Sequence, residues 1–433
     1  MSWRFSLVLA VLLICSGDGQ KLRIYNGERA LEGEFPFISL ILASSSFSSD
    51  GSGATGQNMC GGSILSDRII LTAAHCVVRD TAVTDPATSA TVDELYNPRN
   101  LEVNVGALDI TQYEATAKMI SPAGIIVHED YDSVSVANDI AMIILSEDIG
   151  LAGTDKISAI TLPETADRDT LYADGAAVTV IGGPLFTKKN DKWVQIALVS
   201  WGPTAADMTD TSYDVNADVL YYKDWITTHK DSAFTEYVTT LSATSSTKAV
   251  VLENLRNYLY KTIKITPATA GKYTKITIKS GTMKPYDYLM IYNGDNPLTN
   301  TMLAQLTGTL EEQSYTSTTT KGLTLAIMTG KEGKSDGFTF EYSEVSEVGT
   351  KTDLTCTSGY TACKDNFFCL NNQLFCEGEG QCIDGSDEVK ANCDAVKNNT
   401  DGNNGGDGNG DIAKPTNQTL VLLLVYLMVG FLL

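Results

Sequence analysis

The chain holds three histidines, His75, His128 and His229. One of them stands in chemically marked surroundings. His75 ends an apolar run, Ile69-Ile70-Leu71-Thr72-Ala73-Ala74-His75-Cys76, and a second cysteine, Cys60, opens the segment before it as Cys60-Gly61-Gly62-Ser63-Ile64-Leu65. A lone histidine is usually structural. The cysteine pair, and an acid opening a later apolar run at Asn138-Asp139-Ile140-Ala141-Met142-Ile143-Ile144-Leu145, make this one a candidate for proton transfer. A hydroxyl nucleophile is harder to find. Gly182-Gly183-Pro184-Leu185-Phe186 is preceded by Ile181, which has no proton to give and no lone pair. Gly333-Lys334-Ser335-Asp336-Gly337 has the letters of a nucleophile elbow, but that motif needs a strand before it, a helix after it and a later histidine. Here Phe338 to Tyr342 alternates like a strand and no histidine follows, so a turn is expected. There is no His-Glu-x-x-His helix, which excludes a zinc peptidase of that type.

The elements that must position these residues read as strands. Short β-type runs separated by turn residues mark an all-β domain around Cys60 to Leu145. After Lys230 the texture becomes Thr- and Ser-rich alternation, with strands expected at Tyr273 to Lys279 and Leu323 to Met328. A length of 433 residues suggests two or three domains, and 43% hydrophobic residues suffice for their cores. The formal net charge of −22 argues against nucleic acid as a partner, since phosphates call for a basic face.

Both ends carry address-like segments. Residues 1–20 read as a signal peptide: Arg4, an apolar run from Phe5 to Ile14, then small residues, the run being too short to span a membrane. Residues 395–411 form a Gly/Asn/Asp-rich linker containing DGNNGGDGNGD, and 412–433 carry a polar spacer and an apolar tail. That order fits a GPI-attachment signal with Asn409 as the attachment site, a short single-pass helix being the alternative. Asn398 is the expected glycosylation acceptor. With Cys15 in the leader, eight cysteines remain, an even number suited to an oxidising compartment. The chain is therefore expected at the extracellular face of the plasma membrane. Six of the cysteines, at 356, 363, 369, 376, 382 and 393, crowd into a block too short to bury much core.

The motifs from Arg23-Ile24 through Ala73-Ala74-His75-Cys76 to Asp139-Ile140-Ala141, in that order, strongly resemble the chymotrypsin/trypsin-like (S1) serine peptidases over residues 24–230. The resemblance implies a double β-barrel with a Ser-His-Asp triad at the junction. His75 then matches the general base and Asp139 the carboxylate that orients it. Cys60 and Cys76 match the disulfide bracing the histidine loop, and Arg23-Ile24 the activation bond. Ser200-Trp201-Gly202 matches the strand that pairs with substrate backbone, and Tyr221 to His229 the closing helix.

The departure is at 178–183. The family pattern Gly-Asp-Ser-Gly-Gly-Pro, laid on Gly182-Gly183-Pro184, puts Ile181 on the serine. Ala177-Val178-Thr179-Val180 matches a strand that normally lies far upstream, so several strands, the specificity-pocket floor and the cysteines of the second barrel are missing. The domain is expected to be internally truncated and catalytically inactive. Loss of such a nucleophile costs on the order of 10⁶ in kcat.

Asp287-Tyr288-Leu289-Met290-Ile291-Tyr292-Asn293-Gly294, with Asp336 to Tyr342, resembles a CUB domain over residues 236–346. Both usual disulfides are absent, and Asp287 alone matches a calcium carboxylate, so a plain sandwich and a calcium-dependent binder both stand. The six-cysteine block, ending Cys382-Ile383-Asp384-Gly385-Ser386-Asp387-Glu388, resembles an LDL-receptor class A repeat over 354–394. That resemblance implies pairing 356–369, 363–382 and 376–393, and a calcium ion held by Glu377, Asp387 and Glu388. Gln381 replaces a carboxylate there, so weak calcium binding is expected.

The expected architecture is thus mainly β: a trypsin-like double barrel with its second barrel truncated, a CUB sandwich and a small disulfide-rich calcium repeat. Two functions fit. One is a secreted, GPI-tethered pseudoprotease that binds extracellular protein or glycan ligands through its CUB and class A modules. The other is an active serine endopeptidase, of which this sequence is a shortened isoform or a faulty gene prediction.

Overall fold

In the computed structural model, residues 30–401 are described apart from 48–53, 85–90, 108–116, 154–155, 174, 202–214, 332–334, 351–352, 367–368, 378–379 and 383. Arg23, Ile24, Gly202, Asn409, the leader, the tail after 401 and the side chain of Asn398 lie outside the described residues.

The apolar runs singled out above become buried strands. Ile69–Thr72 and Ala141–Leu145 are buried at every position and pair antiparallel, Ile70 opposite Ile143. Around them a ring closes. Ile38–Phe47 pairs with Ala54–Ser66 and with Leu101–Val105, Ala54–Ser66 with Ile69–Thr72, and Ala141–Leu145 with Pro122–Val127. Lys118–Ile120 pairs with Leu101–Val105, and Ser121 joins it to Pro122–Val127, so one bent segment links the two ends of this first barrel.

The segment expected to be truncated folds as a four-stranded sheet, in the order Thr179–Val180, Pro184–Lys189, Lys192–Trp201, Val215–Asp218. Its hairpin turns through Asn190 and Asp191, both at positive φ (51° and 60°), the backbone that a two-residue turn between twisted strands demands. One face feeds the main core through Phe186 and Leu198. On the other, Leu171, Val194 and Ile196 form a small separate core with Tyr172, Val178 and Leu185 against it. The Tyr172 hydroxyl donates to the Ile196 carbonyl at 3.0 Å. The short turns Thr165–Asp167 and Arg168–Leu171 thereby cover part of the apolar surface that a complete second barrel would enclose.

The helix Lys223–Tyr237 runs straight into the strand Val238–Ala243, so the peptidase-like segment joins the next domain without a linker. Residues 238–345 form two facing sheets. Lys248–Leu255, Ser335–Val345 and Tyr273–Thr282 build one; Leu259–Pro267, Leu323–Met328, Tyr288–Asn293 and Met302–Leu306 build the other. The second sheet does not end at the sandwich. Leu259 and Tyr260 pair with Ile126 and Ile125, so it continues into the first barrel as one 13-stranded sheet. At the far end Thr355–Cys356 adds in parallel to Met302–Leu306. The strands expected at 273–279 and 323–328 are found, and the strand expected after the Gly333–Gly337 turn already begins at Ser335.

The cysteine block has little secondary structure beyond the pair Tyr360–Ala362 and Cys369–Asn371. Three disulfides hold it: Cys356–Cys369, Cys363–Cys382 and Cys376–Cys393. The chain up to Cys393 forms one compact unit, and residues from Asp394 a second. No helix among the described residues is long and apolar enough to cross a membrane.

Candidate active site

The strand Ile69–Thr72 delivers His75 on a 3-10 turn, Ala74–Cys76, pinned to the neighbouring strand by the Cys60–Cys76 disulfide. Asp139 enters from the other side, after Asn138 at φ 55°, and is almost fully buried. Three donors converge on its carboxylate. The His75 backbone N–H reaches Oδ1 at 2.9 Å, His75 Nδ1 lies 2.8 Å from Oδ2, and the Ser200 hydroxyl donates to Oδ2 at 2.6 Å. The carboxylate thus fixes the imidazole with its proton on Nδ1, which leaves the Nε2 lone pair free to act as a base. Ser200, placed on the substrate strand by sequence, is a partner of Asp139 as well. The closing helix, expected over Tyr221 to His229, runs from Lys223 to Tyr237, and Tyr222 in the turn ahead of it donates to Asn138 Oδ1 at 3.0 Å, next to the acid.

Nothing described on the other side of His75 can use that base. Among the described residues, Nε2 has sulfurs as its hydrogen-bond-range neighbours, Cys76 Sγ at 3.5 Å and Cys60 Sγ at 3.9 Å. Cys60, His75 and Cys76 have the proximity of a metal-ligand group, but the two sulfurs are spent in a disulfide and offer no thiolate. Ile181 is 4% exposed and its side chain belongs to the main core, in the same cluster as Phe37, Phe186 and Leu198. Its amide donates to the Pro184 carbonyl at 3.1 Å and is not available to an oxyanion. Gly182, at φ 63°, gives its carbonyl to the Gly61 amide at 2.9 Å. The approach is so close that a Cβ on Gly61 would lie 2.6 Å from that oxygen, which explains the glycine after Cys60. Trp201, at the end of the strand, is 46% exposed.

The other predicted ligands sit elsewhere. The Asp287 carboxylate takes the Gly330 amide at 2.8 Å and the Ser335 hydroxyl, so it ties two loops of the sandwich together. Ser335 of the serine-containing Gly333–Gly337 stretch is fully buried in that contact, a structural role. In the cysteine block, Gln381 gives its backbone N–H to Asp387 Oδ2 at 2.6 Å and its side-chain N–H to the Glu377 carboxylate at 2.5 Å. Glu388 accepts the Glu377 amide at 3.2 Å. Asp387 is fully buried, and that burial pushes its carboxyl up. Its Oδ1 and Gln381 Oε1 are buried without a donor. Two orphaned oxygens on neighbouring side chains fit a hard cation. The carboxylates of Glu377, Asp387 and Glu388 do not all lie within 4.8 Å of one another, so a cation there would rest first on Asp387 and Gln381.

Sequence reasoning missed a cluster where the barrel meets the sandwich. Glu129 pairs with Arg256 at 2.8 Å and lies 3.6 Å from His229, and the Trp225 indole donates to it at 2.9 Å. Arg256 also donates to the Val127 carbonyl at 2.7 Å and the Tyr237 hydroxyl at 3.0 Å. His128 stacks on Trp225, and its burial lowers its proton affinity. No local motif announces these contacts; the aromatics and the single histidine within 222–237 were the only trace.

Comparison with known proteins agrees with the geometry around His75. The trypsin family profile matches residues 24–182, ending at the glycine that packs on Gly61. A chymotrypsin of Phaedon cochleariae is 28% identical over 161 residues, 37% of this chain and 48% of that protein. Trypsin Blo t 3 of Blomia tropicalis is 30% identical over 200 residues, 44% of this chain and 63% of that one. Coagulation factor XI of Bos taurus is 24% identical over 262 residues, 48% of this chain and 37% of the other. The chain thus spans about half the length of the chymotrypsin and 37% of the coagulation factor.

Proposed function

From the premise that residues 24–182 are a trypsin-type (S1) peptidase domain, we propose that this chain binds rather than cleaves: it is an inactive peptidase homologue acting as a scaffold. The observation that carries this reading is the pairing of an intact His75–Asp139–Ser200 arrangement with Ile181, a side chain that cannot attack a carbonyl and is turned into the core. Residues 236–346 act as a CUB-like sandwich and 354–394 as a class A-like repeat with weak calcium affinity, together offering surfaces to extracellular protein or glycan ligands. The orphaned oxygens of Asp387 and Gln381 support the calcium part. A leader at 1–20 and a GPI signal with Asn409 as attachment site would put the protein on the outer cell surface.

The test is a fluorophosphonate probe on the purified protein, with peptide substrates in parallel. No labelling is expected. Labelling abolished by His75→Ala would mean that another serine has been recruited, and would end the scaffold reading. One observation favours a second reading, a shortened product of a gene whose full form is an endopeptidase: the family match ends at Gly182, and the sheet beginning at Thr179 has open edges. The tryptic peptide spanning 169–188, DTLYADGAAVTVIGGPLFTK, occurs only in the form with this junction. Its absence from source tissue, beside peptides carrying Gly-Asp-Ser-Gly-Gly, would favour the endopeptidase.

A further inference from the structure

Glu94 is buried where three parts of the chain meet. It lies on the strand Thr91–Leu95, which the peptidase-like segment sends out beside its barrel. Tyr288 of the sandwich donates its hydroxyl to Glu94 Oε1 at 2.9 Å. That hydroxyl lies 3.1 Å from the hydroxyl of Tyr360, in the cysteine block, and the two rings meet edge to face at 5.7 Å. Arg79 is the facing cation, with Nη2 3.8 Å from Oε2, beyond hydrogen-bond reach. Beside the group is a cavity of about 50 Å³ whose wall includes Arg79, Glu94, Asn100, Tyr288, Tyr360 and Gln381. That is room for water. Apart from Gln381, two side-chain atoms of these wall residues have no partner: a donor, Arg79 Nε, and an acceptor, Asn100 Oδ1.

We propose that Glu94 is a proton-operated latch: uncharged, it holds the cysteine block against the sandwich and the Thr91–Leu95 strand, and its ionisation loosens that junction. The proposal is independent of whether the chain cleaves peptides. Burial pushes the Glu94 carboxyl up, against the smaller pull of Arg79 and of the Tyr288 hydroxyl. An acid whose proton is held more tightly in the docked state favours docking at low pH. That contribution is lost as pH rises through the docked-state pKa. The groups facing Glu94 are Arg79 from Val78–Thr84, Tyr288 from the sandwich and Tyr360 from the cysteine block. Burial raises both tyrosines, Tyr360 to about 12, so neither titrates in the range concerned. The neighbouring Asp93 is occupied elsewhere, with Ser133, Tyr258 and Lys331. What the latch guards between sandwich and cysteine block is the pairs Ala304–Thr355 and Gln305–Cys356, the Gln305 side chain bridging the Cys369 backbone, and the Thr357 hydroxyl between the Thr307 amide and the Gln305 carbonyl.

The experiment is amide hydrogen exchange of the full chain from pH 5 to 8, corrected for intrinsic exchange, followed at 303–306 and 355–362. Exchange there is expected to rise, by up to about tenfold per pH unit, from the ordinary carboxyl value up to the docked-state pKa of Glu94, and to level off above it. In Glu94→Gln, a neutral isostere, it should stay slow and flat. Arg79→Gln removes the cation that eases ionisation, so the transition should move to higher pH; this variant serves if Glu94→Gln does not fold. A flat wild-type profile, an unchanged pH dependence in Glu94→Gln, or an unmoved transition in Arg79→Gln would overturn the latch.

Discussion

Restoring a serine at the aligned position is the perturbation that most directly probes the candidate site. In Ile181→Ser, sequence alignment alone predicts a regained triad. The structure predicts a damaged core. Ile181 is 4% exposed within the main apolar cluster, and truncating a buried isoleucine costs about 2–5 kcal/mol. A hydroxyl left there without a partner adds about 1–3 kcal/mol. A loss of about 4 kcal/mol is therefore expected, a large part of the roughly 5–15 kcal/mol that holds a domain. The control Ile181→Val removes one methyl group and should cost about 1 kcal/mol. Denaturant unfolding of the three proteins measures the difference, and fluorophosphonate labelling measures the chemistry. The serine variant should be strongly destabilised and unlabelled, because its amide is already bonded to Pro184 and His75 Nε2 faces the disulfide. If it keeps wild-type stability and takes label in a manner that needs His75, residue 181 points at the imidazole and the reasoning from burial is refuted.

The barrel–sandwich clamp has a pH signature. Burial works against ionisation of Glu129, but the hydrogen bond to His229 and the charge of Arg256 outweigh it and bring its pKa to about 2. Its folded pKa is depressed, so its contribution is present above the ordinary value of 4.5 and fades as pH falls towards 2. With Glu129 side-chain exposure at 40%, solvent screening reduces that contribution to about 1–2 kcal/mol. Glu129→Gln should be less stable by that amount in unfolding at pH 7, and equal to wild type near pH 2. A chelator should speed hydrogen exchange within Cys356 to Cys393 and nowhere else. Gln381→Asp should tighten calcium in isothermal titration, because it restores a charge beside Asp387; no gain would remove Gln381 from the cation's surroundings.

What the sequence made legible was local. His75 and Asp139 could be named because each sits at the mouth of an apolar run long enough to be a buried strand, and the runs at Ile69 and Ala141 do pair. The disulfide framework of the cysteine block lies within a short stretch, and the pairing implied by resemblance is the one found. Long-range partners were not legible. Tyr288 and Glu94 are 194 residues apart, and Arg256 and Val127 are 129 apart. No periodicity or motif marks such a pair; it exists only once the sheets are stacked. Ile181 shows the converse limit. That isoleucine cannot attack a carbonyl is chemistry readable from the sequence, but where its side chain goes depends on packing against Phe186 and Leu198, both of which lie beyond the glycine turn.

The continuous sheet bears on how a peptidase-like fold would tolerate a loss of strands such as that proposed at residues 178–183. Missing neighbours leave backbone groups without partners, and each buried one costs about 1–3 kcal/mol. The structure limits the damage at two places. Leu171 and Tyr172 fold over the Val194–Ile196 face, with the Tyr172 hydroxyl on the Ile196 carbonyl. The sandwich lays Leu259 and Tyr260 alongside Ile126 and Ile125, and Arg256 takes the Val127 carbonyl. The main core accordingly runs without a break from Leu71 and Met142 through Leu198 to Ile263 and Leu325. A catalytic barrel needs its second half to shape a pocket and hold an oxyanion turn. A binding scaffold would need only that its surfaces be held in fixed relation, and a sandwich hydrogen-bonded to the first barrel meets that need.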